Sequence, residues 1–237
     1  MILPLSIIGL VVLGVALIFT RLPLPEITEE EVGLGHGIDT SGVEDKPSYH
    51  KPLINQSHFV MGVIAQFCYV AAQTGIFSYL INFVTDENQY PRFDVKNGPY
   101  FLSIGFALFM IGRMSGSYMM GYFKPSRILA LYSALCIVLL PVVSLQFGWI
   151  SLVSLYAIFF FMSIMYPTIF ALGIKDLGPN TKKAASFIVM AVVGGAVFPP
   201  LMGWISDHYT MSIGFFAPIP LFLFILFYSL EGHHVKA

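Results

Sequence analysis

Two apolar spans set around a short charged turn fill the stretch from Phe161 to Asp207, and no other stretch restricts the possible folds so tightly. The first span ends at Lys175, the turn carries Lys182 and Lys183, and the second span begins at Ala184. Lipid cannot satisfy backbone polar groups, so a chain crossing it must close its hydrogen bonds within each helix and leave its charge at the interface. The pattern therefore reads as a transmembrane helical hairpin. Composition agrees: the chain is 57% hydrophobic and 11% charged, against roughly 45–50% apolar in soluble domains. Charge this sparse leaves no basic face for phosphates, which excludes nucleic acid as a partner.

Seven spans are expected, giving an all-α membrane protein. They run Ile2–Thr20, Phe59–Val84, Pro99–Tyr122, Ile128–Phe147, Ile150–Ile174, Ala184–Ser206 and Ile213–Leu230. Each approaches the roughly 20 residues a bilayer requires. Residues 21–57 lack an apolar period, are rich in proline and glycine, and read as a linker. Met1 leads straight into hydrocarbon with no flank, an opening expected of a chain that continues a longer one. Lysine and arginine set the orientation. Arg21, Lys46, Lys51, Lys124, Arg127, Lys175, Lys182, Lys183 and Lys236 fall on one side, and only Arg92 and Lys96 on the other. The richer side is expected to be cytoplasmic, and with it the C-terminus.

Several residues break the apolar pattern. Arg113, in IGRMSG, lies ten residues before Phe123, hence about 15 Å deep at helical rise. A guanidinium at that depth needs a carboxylate, a carbonyl or a polar ligand, and intramembrane charge marks function by default. A buried structural arginine is the alternative. No carboxylate lies between Val95 and Lys175, so no partner is evident in the neighbouring spans. Gln66, Tyr69 and Gln73 fall within about 60° of one another on a helix and form one polar stripe. Amides and a phenol offer donors and acceptors without charge, which suits a neutral polyol such as a sugar. Interhelical hydrogen bonding explains the stripe equally well. Tyr166-Pro167-Thr168 removes one helix hydrogen bond and frees a carbonyl. Pro167, Gly194, Gly195, Pro199 and Pro200 are candidate hinge or gating positions, with a simple kink at Pro167 and close packing at the glycines as the plainer readings.

No metal set, cofactor motif or nucleophile–base pair stands out, so an enzyme is not expected. The six histidines lie in loops, tails or span ends. Cys68 and Cys136 read as small apolar core residues.

The segments AQFCYVAAQTGIFSYLI at 65–81, IGRMSG at 111–116, FMSIMYPTIFALGIKDLG at 161–178 and SFIVMAVVGGAVFPPLMGWISD at 186–207 resemble the sugar–proton symporters of the major facilitator superfamily, fucose-permease type. The resemblance implies two six-helix bundles with alternating access to a central sugar site. Residues 1–20 would be the last helix of an N-terminal bundle, 21–57 a cytoplasmic linker, 58–231 the C-terminal six-helix bundle and 232–237 a cytoplasmic tail. It further implies proton symport of a hexose or deoxyhexose (fucose favoured) at Gln66, Tyr69, Gln73, Arg113 and Tyr166. The proton-coupling carboxylates would belong to the other bundle, an expected partner. The expected location is a bacterial inner membrane, with sugar and proton as co-substrates. A seven-helix receptor, or another non-transporting membrane protein, is the alternative. The connector at 21–57 and the lack of a lysine in the last span fit a receptor poorly.

Overall fold

The computed structural model of the chain describes residues 13–14, 53–86 and 94–232. The expected span at 2–20 and most of the linker lie outside these residues, apart from Leu13 and Gly14, which are helical. The described residues between 53 and 232 form one compact unit.

Nine helices account for it: α1 (Ser57–Thr85), α2 (Gly98–Met120), α3 (Pro125–Ser144), α4 (Trp149–Met162), α5 (Met165–Gly173), α6 (Thr181–Met190), α7 (Gly194–His208), α8 (Met211–Gly214) and α9 (Ile219–Phe227), among the described residues. They make up the six remaining spans, three of them interrupted. A single span is divided into α4 and α5, another into α6 and α7 by the 3-10 turn Ala191–Val193, and the last into α8, α9 and the π-turn Tyr228–Gly232. Five spans among the described residues are long and apolar enough to cross a membrane: Ser57–Thr85, Pro125–Ser144, Trp149–Gly173, Thr181–His208 and Met211–Gly232. The 23-residue α2 is not one of them. Glycines, serines and Arg113 dilute its hydrocarbon.

α1 is the centre. Apolar residues lie all round the helix, beside the narrow Gln66–Tyr69–Gln73 stripe, the pattern of a helix packed on most sides. Fifteen of its 29 residues are buried, and it packs against α2, α5, α7 and α9. α2 is the opposite case. Its buried residues are all glycines: Gly98 faces Ile81 of α1, and Gly105, Gly112 and Gly116 form a seam facing Phe159, Phe160 with Ser163, and Ile164 in turn. Small residues at such a seam let two helix backbones come close, which substitutes for hydrophobic driving force in lipid.

Two hydrogen-bonded corners set these helices in register. Ser151 Oγ accepts from the Phe147 N–H at 2.8 Å and donates to the Val142 carbonyl at 2.7 Å, closing the α3–α4 corner. His58, buried in the first turn of α1, donates through Nε2 to the Lys175 carbonyl at 3.0 Å and anchors the α5–α6 hairpin.

Candidate functional site

Pro167 decides where the fifth span breaks. Proline carries no N–H and its ring crowds the carbonyl four residues back, yet it is tolerated in the first turn of a helix, where that N–H is unused. The chain takes this solution: α4 stops at Met162, Ser163 and Ile164 form a turn that keeps right-handed dihedrals, and α5 starts at Met165 with Pro167 in its first turn. Thr168 Oγ1 caps the turn on the Ile164 carbonyl at 2.7 Å.

The carbonyls loosened by this break are met by side chains from two other helices. Tyr69 Oη, from α1, donates to the Met162 carbonyl at 2.8 Å. Arg113 Nε, from α2, approaches the Ser163 carbonyl at 3.4 Å. That carbonyl is the one an N–H at position 167 would have bonded in a continuous helix. The Arg113 guanidinium also sits 5.6 Å from the centroid of the Phe109 ring, within cation–π range. α2 comes near enough for these contacts only because residue 112 is glycine. A Cβ there would lie 2.5 Å from the Phe160 carbonyl oxygen and 2.6 Å from Ser163 Oγ.

The break thus gathers three of the expected residues. Tyr69 is fully buried, and its ring meets that of half-buried Tyr166 edge-on at 6.2 Å. Arg113 is exposed on the surface of this unit, where it meets a carbonyl and not a carboxylate. The rest of the stripe divides: Gln66 is fully buried and Gln73 half-buried. Gln66 makes no hydrogen bond among the described residues through either amide atom.

Of the expected hinge residues only Pro167 sits at this break; the others lie elsewhere. Gly194 and Gly195 open α7 and press on α1, where a Cβ at Gly194 would lie 2.5 Å from the Phe67 carbonyl oxygen and one at Gly195 2.9 Å from Thr74. The interruption in that span is the 3-10 turn at Ala191–Val193, just before the glycine pair. Pro199 and Pro200 sit inside α7, which stays helical through them, and Tyr79 Oη donates to the Pro199 carbonyl at 3.3 Å. Sequence reasoning missed Ser163 and the α2 glycine seam. Both had a signal: Ser163 is four residues before Pro167, and the seam recurs at spacings of seven and four.

No protein-family model matches the chain. Individual proteins do. It is 41% identical to the L-fucose-proton symporter of Escherichia coli over 150 residues, 63% of this chain and 34% of that protein. It is 32% identical over 223 residues to a putative glucose/galactose transporter of Helicobacter pylori, covering 92% of this chain and 51% of the relative. With the glucose/galactose transporter of Brucella abortus the identity is 30% over 229 residues, 97% of this chain and 53% of the relative. The crystal structure of the E. coli fucose:proton symporter superposes with a TM-score of 0.78 at 33% identity, covering 95% of this chain and 53% of that one. A peptide transporter superposes at 0.66 with 18% identity, a likeness of fold alone. The chain spans about a third to a half of the length of the relatives it matches. With its all-helical fold, its broken membrane spans and these relatives, the chain belongs to the major facilitator superfamily and corresponds to the C-terminal part of its fucose-permease-type members.

Proposed function

We propose that this chain forms the C-terminal half of a proton-coupled sugar carrier working by alternating access. The observation that carries the reading is the α4–α5 break, where Arg113 and Tyr69 converge on loosened carbonyls beside Tyr166. In carriers built from repeated bundles, substrate sites form near the bilayer midplane where spanning helices are interrupted. A neutral hexose or deoxyhexose suits this surface, because amides, phenols and a guanidinium bond hydroxyls while a net anionic site is lacking. The relatives' names favour fucose, with glucose and galactose next.

Arg113, Tyr166 and Gln73 would face the sugar, with Tyr69 and Gln66 in the layer beneath them. Arg113 keeps its terminal nitrogens available, since its contact with the Ser163 carbonyl uses Nε. The proton-carrying carboxylate is proposed to sit on an N-terminal bundle that closes the other side of the cavity. Its protonation would bias the rocking of one bundle against the other. The proposed setting is a bacterial inner membrane with the 175–183 hairpin in the cytoplasm, as the lysine and arginine distribution supports.

Fusing this chain to the N-terminal half of a fucose:proton symporter and measuring fucose uptake tests the reading. Charge-assisted hydrogen bonds contribute ~1.5–3 kcal/mol, so Arg113→Ala should lower uptake by about 10- to 150-fold. Uptake equal to the unmutated fusion removes Arg113 from the mechanism. The chain expressed by itself is expected to show no fucose-driven alkalinisation of cells or vesicles, and such a signal would contradict the need for a second bundle.

A further inference from the structure

Two polar groups lie sealed in the interior of the bundle, and neither makes a hydrogen bond among the described residues: the amide of Gln66, at both Oε1 and Nε2, and the hydroxyl of Tyr228. Both residues are 0% exposed. Buried amides and hydroxyls are nearly always hydrogen-bonded, because an unmet one loses its hydration and gains nothing.

The backbone brings the two groups to one place. Gly62 and Gln66 are a turn apart on the same face of α1, about 6 Å along its axis. Helical side chains lean toward the N-terminus, so each covers the turn before its own Cα. By that lean we infer that the Gln66 amide reaches toward the turn of Gly62. Tyr228 Oη arrives at that turn from the π-turn closing the last span: a Cβ built on Gly62 would lie 3.1 Å from it and 3.0 Å from the Cα of Gly173. A Cβ on Gly173 would stand 3.8 Å from the same hydroxyl. π-turns are rare and recur at functional positions.

We propose that a single buried water molecule is held between the Gln66 amide and the Tyr228 hydroxyl, in the layer where Gly62 of α1 meets Gly173 of α5. Its chemistry follows from what surrounds it. Both groups are neutral, so the occupant is neutral. The close approach of Gly62 to Gly173 leaves no space for a sugar ring. Gln66 supplies two donors and an acceptor, and Tyr228 one donor and an acceptor, so a water can accept from one and donate to the other. Buried waters typically bridge such groups with about three hydrogen bonds. The site lies at the far end of α5 from the α4–α5 break and stands independently of the transport reading. It ties the end of the last span to α1 about two turns before Tyr69.

X-ray radiolytic labelling in oxygen-18 water reads this on the full chain in lipid nanodiscs, since radicals formed from a bound internal water mark the side chain beside it. Tyr69 is the internal control: it too is 0% exposed, but its hydroxyl is bonded to the Met162 carbonyl. The expected result is faster labelling of Tyr228 than of Tyr69, with the excess lost in Gln66→Leu. Should Gln66→Leu fail to fold, Gln66→Asn withdraws the amide by one methylene and is expected to lower the labelling. Tyr228 labelled no faster than Tyr69, or labelling unchanged in the substituted protein, overturns the proposal.

Discussion

The two mid-bundle interruptions, one between α4 and α5 and one between α6 and α7, are satisfied in different ways. At the α4–α5 break, the carbonyls of Met162 and Ser163 are met by side chains reaching in from α1 and α2. At the α6–α7 break, the carbonyls of Ala191 and Val192 are met by the backbone N–H of Gly194. The first break recruits a phenol and a guanidinium. The second is closed on itself and followed by two glycines that lay α7 against α1. An interrupted helix thus becomes a polar site only where the neighbouring helices carry donors at the right height. Where they do not, the interruption serves packing.

Glycine substitutions test this contrast with the largest expected effects. Gly112→Ala and Gly194→Ala each drive a Cβ to 2.5 Å from a backbone carbonyl oxygen, Phe160 in one case and Phe67 in the other. Backbone cannot give way as a flexible side chain does, so each should destabilise the bundle by about 1–3 kcal/mol. On the size scaling of domains this chain's length, that lowers the unfolding midpoint by roughly 2–4 °C per kcal/mol. Sugar affinity should separate the two variants. Gly112→Ala pushes Arg113 away from the Ser163 carbonyl and should weaken fucose binding beyond its loss of folded protein. Gly194→Ala should bind normally per folded molecule. Equal losses of affinity, measured by titration calorimetry on the two-bundle fusion, would erase the distinction between the breaks.

Tyrosine hydroxyls probe the same contrast at smaller scale. Tyr69→Phe removes a fully buried 2.8 Å bond to Met162 and leaves its carbonyl without that donor, a loss of about 1–2 kcal/mol. Tyr79→Phe removes a longer 3.3 Å bond, from a half-buried hydroxyl to the Pro199 carbonyl within α7, and should cost less than about 1 kcal/mol. Thermal unfolding in detergent measures both. A larger loss for Tyr79→Phe would show that the second break depends on side-chain donors after all.

The spans are legible in the sequence because membrane helices announce themselves by length and hydropathy. The expected span Phe59–Val84 matches α1 at Ser57–Thr85. The expected span Pro99–Tyr122 is helical as α2 at Gly98–Met120, but it is not among the five that are long and apolar enough to cross a membrane. The interruptions are legible only in part. Tyr166-Pro167 points to a break because proline has a local, one-residue cause. The turn at Ala191–Val193 has no such mark, and the glycines and prolines beside it suggest a bend a few residues too late. Which carbonyls are loosened follows from Pro167, but which donors reach them depends on how α1 and α2 pack on that span. Periodicity within one helix carries no record of that. The same holds for the polar stripe. Its three residues share a face, yet packing buries Gln66 and Tyr69 and leaves Gln73 at the rim.

Pro167→Ala has the smallest expected effect on stability and addresses the cause of the first break directly. Pro167 lies in the first turn of α5, where its missing N–H costs little, so the alanine variant should unfold within about 1 kcal/mol of the parent. What changes is the competition for one acceptor. The substitution restores a backbone N–H at position 167, which can reach the Ser163 carbonyl if α4 and α5 join into one helix. Arg113 would then lose the group that now holds its Nε. A near-unchanged midpoint with weakened fucose binding is therefore expected. Pro200→Ala is the matching control, because α7 is already helical through Pro200 and no arginine among the described residues bonds the carbonyl four residues back. If both variants bind fucose as the parent does, the position of Arg113 is fixed by the glycine seam of α2 alone, and the proline-loosened carbonyl is a consequence of the break with no part in recognition.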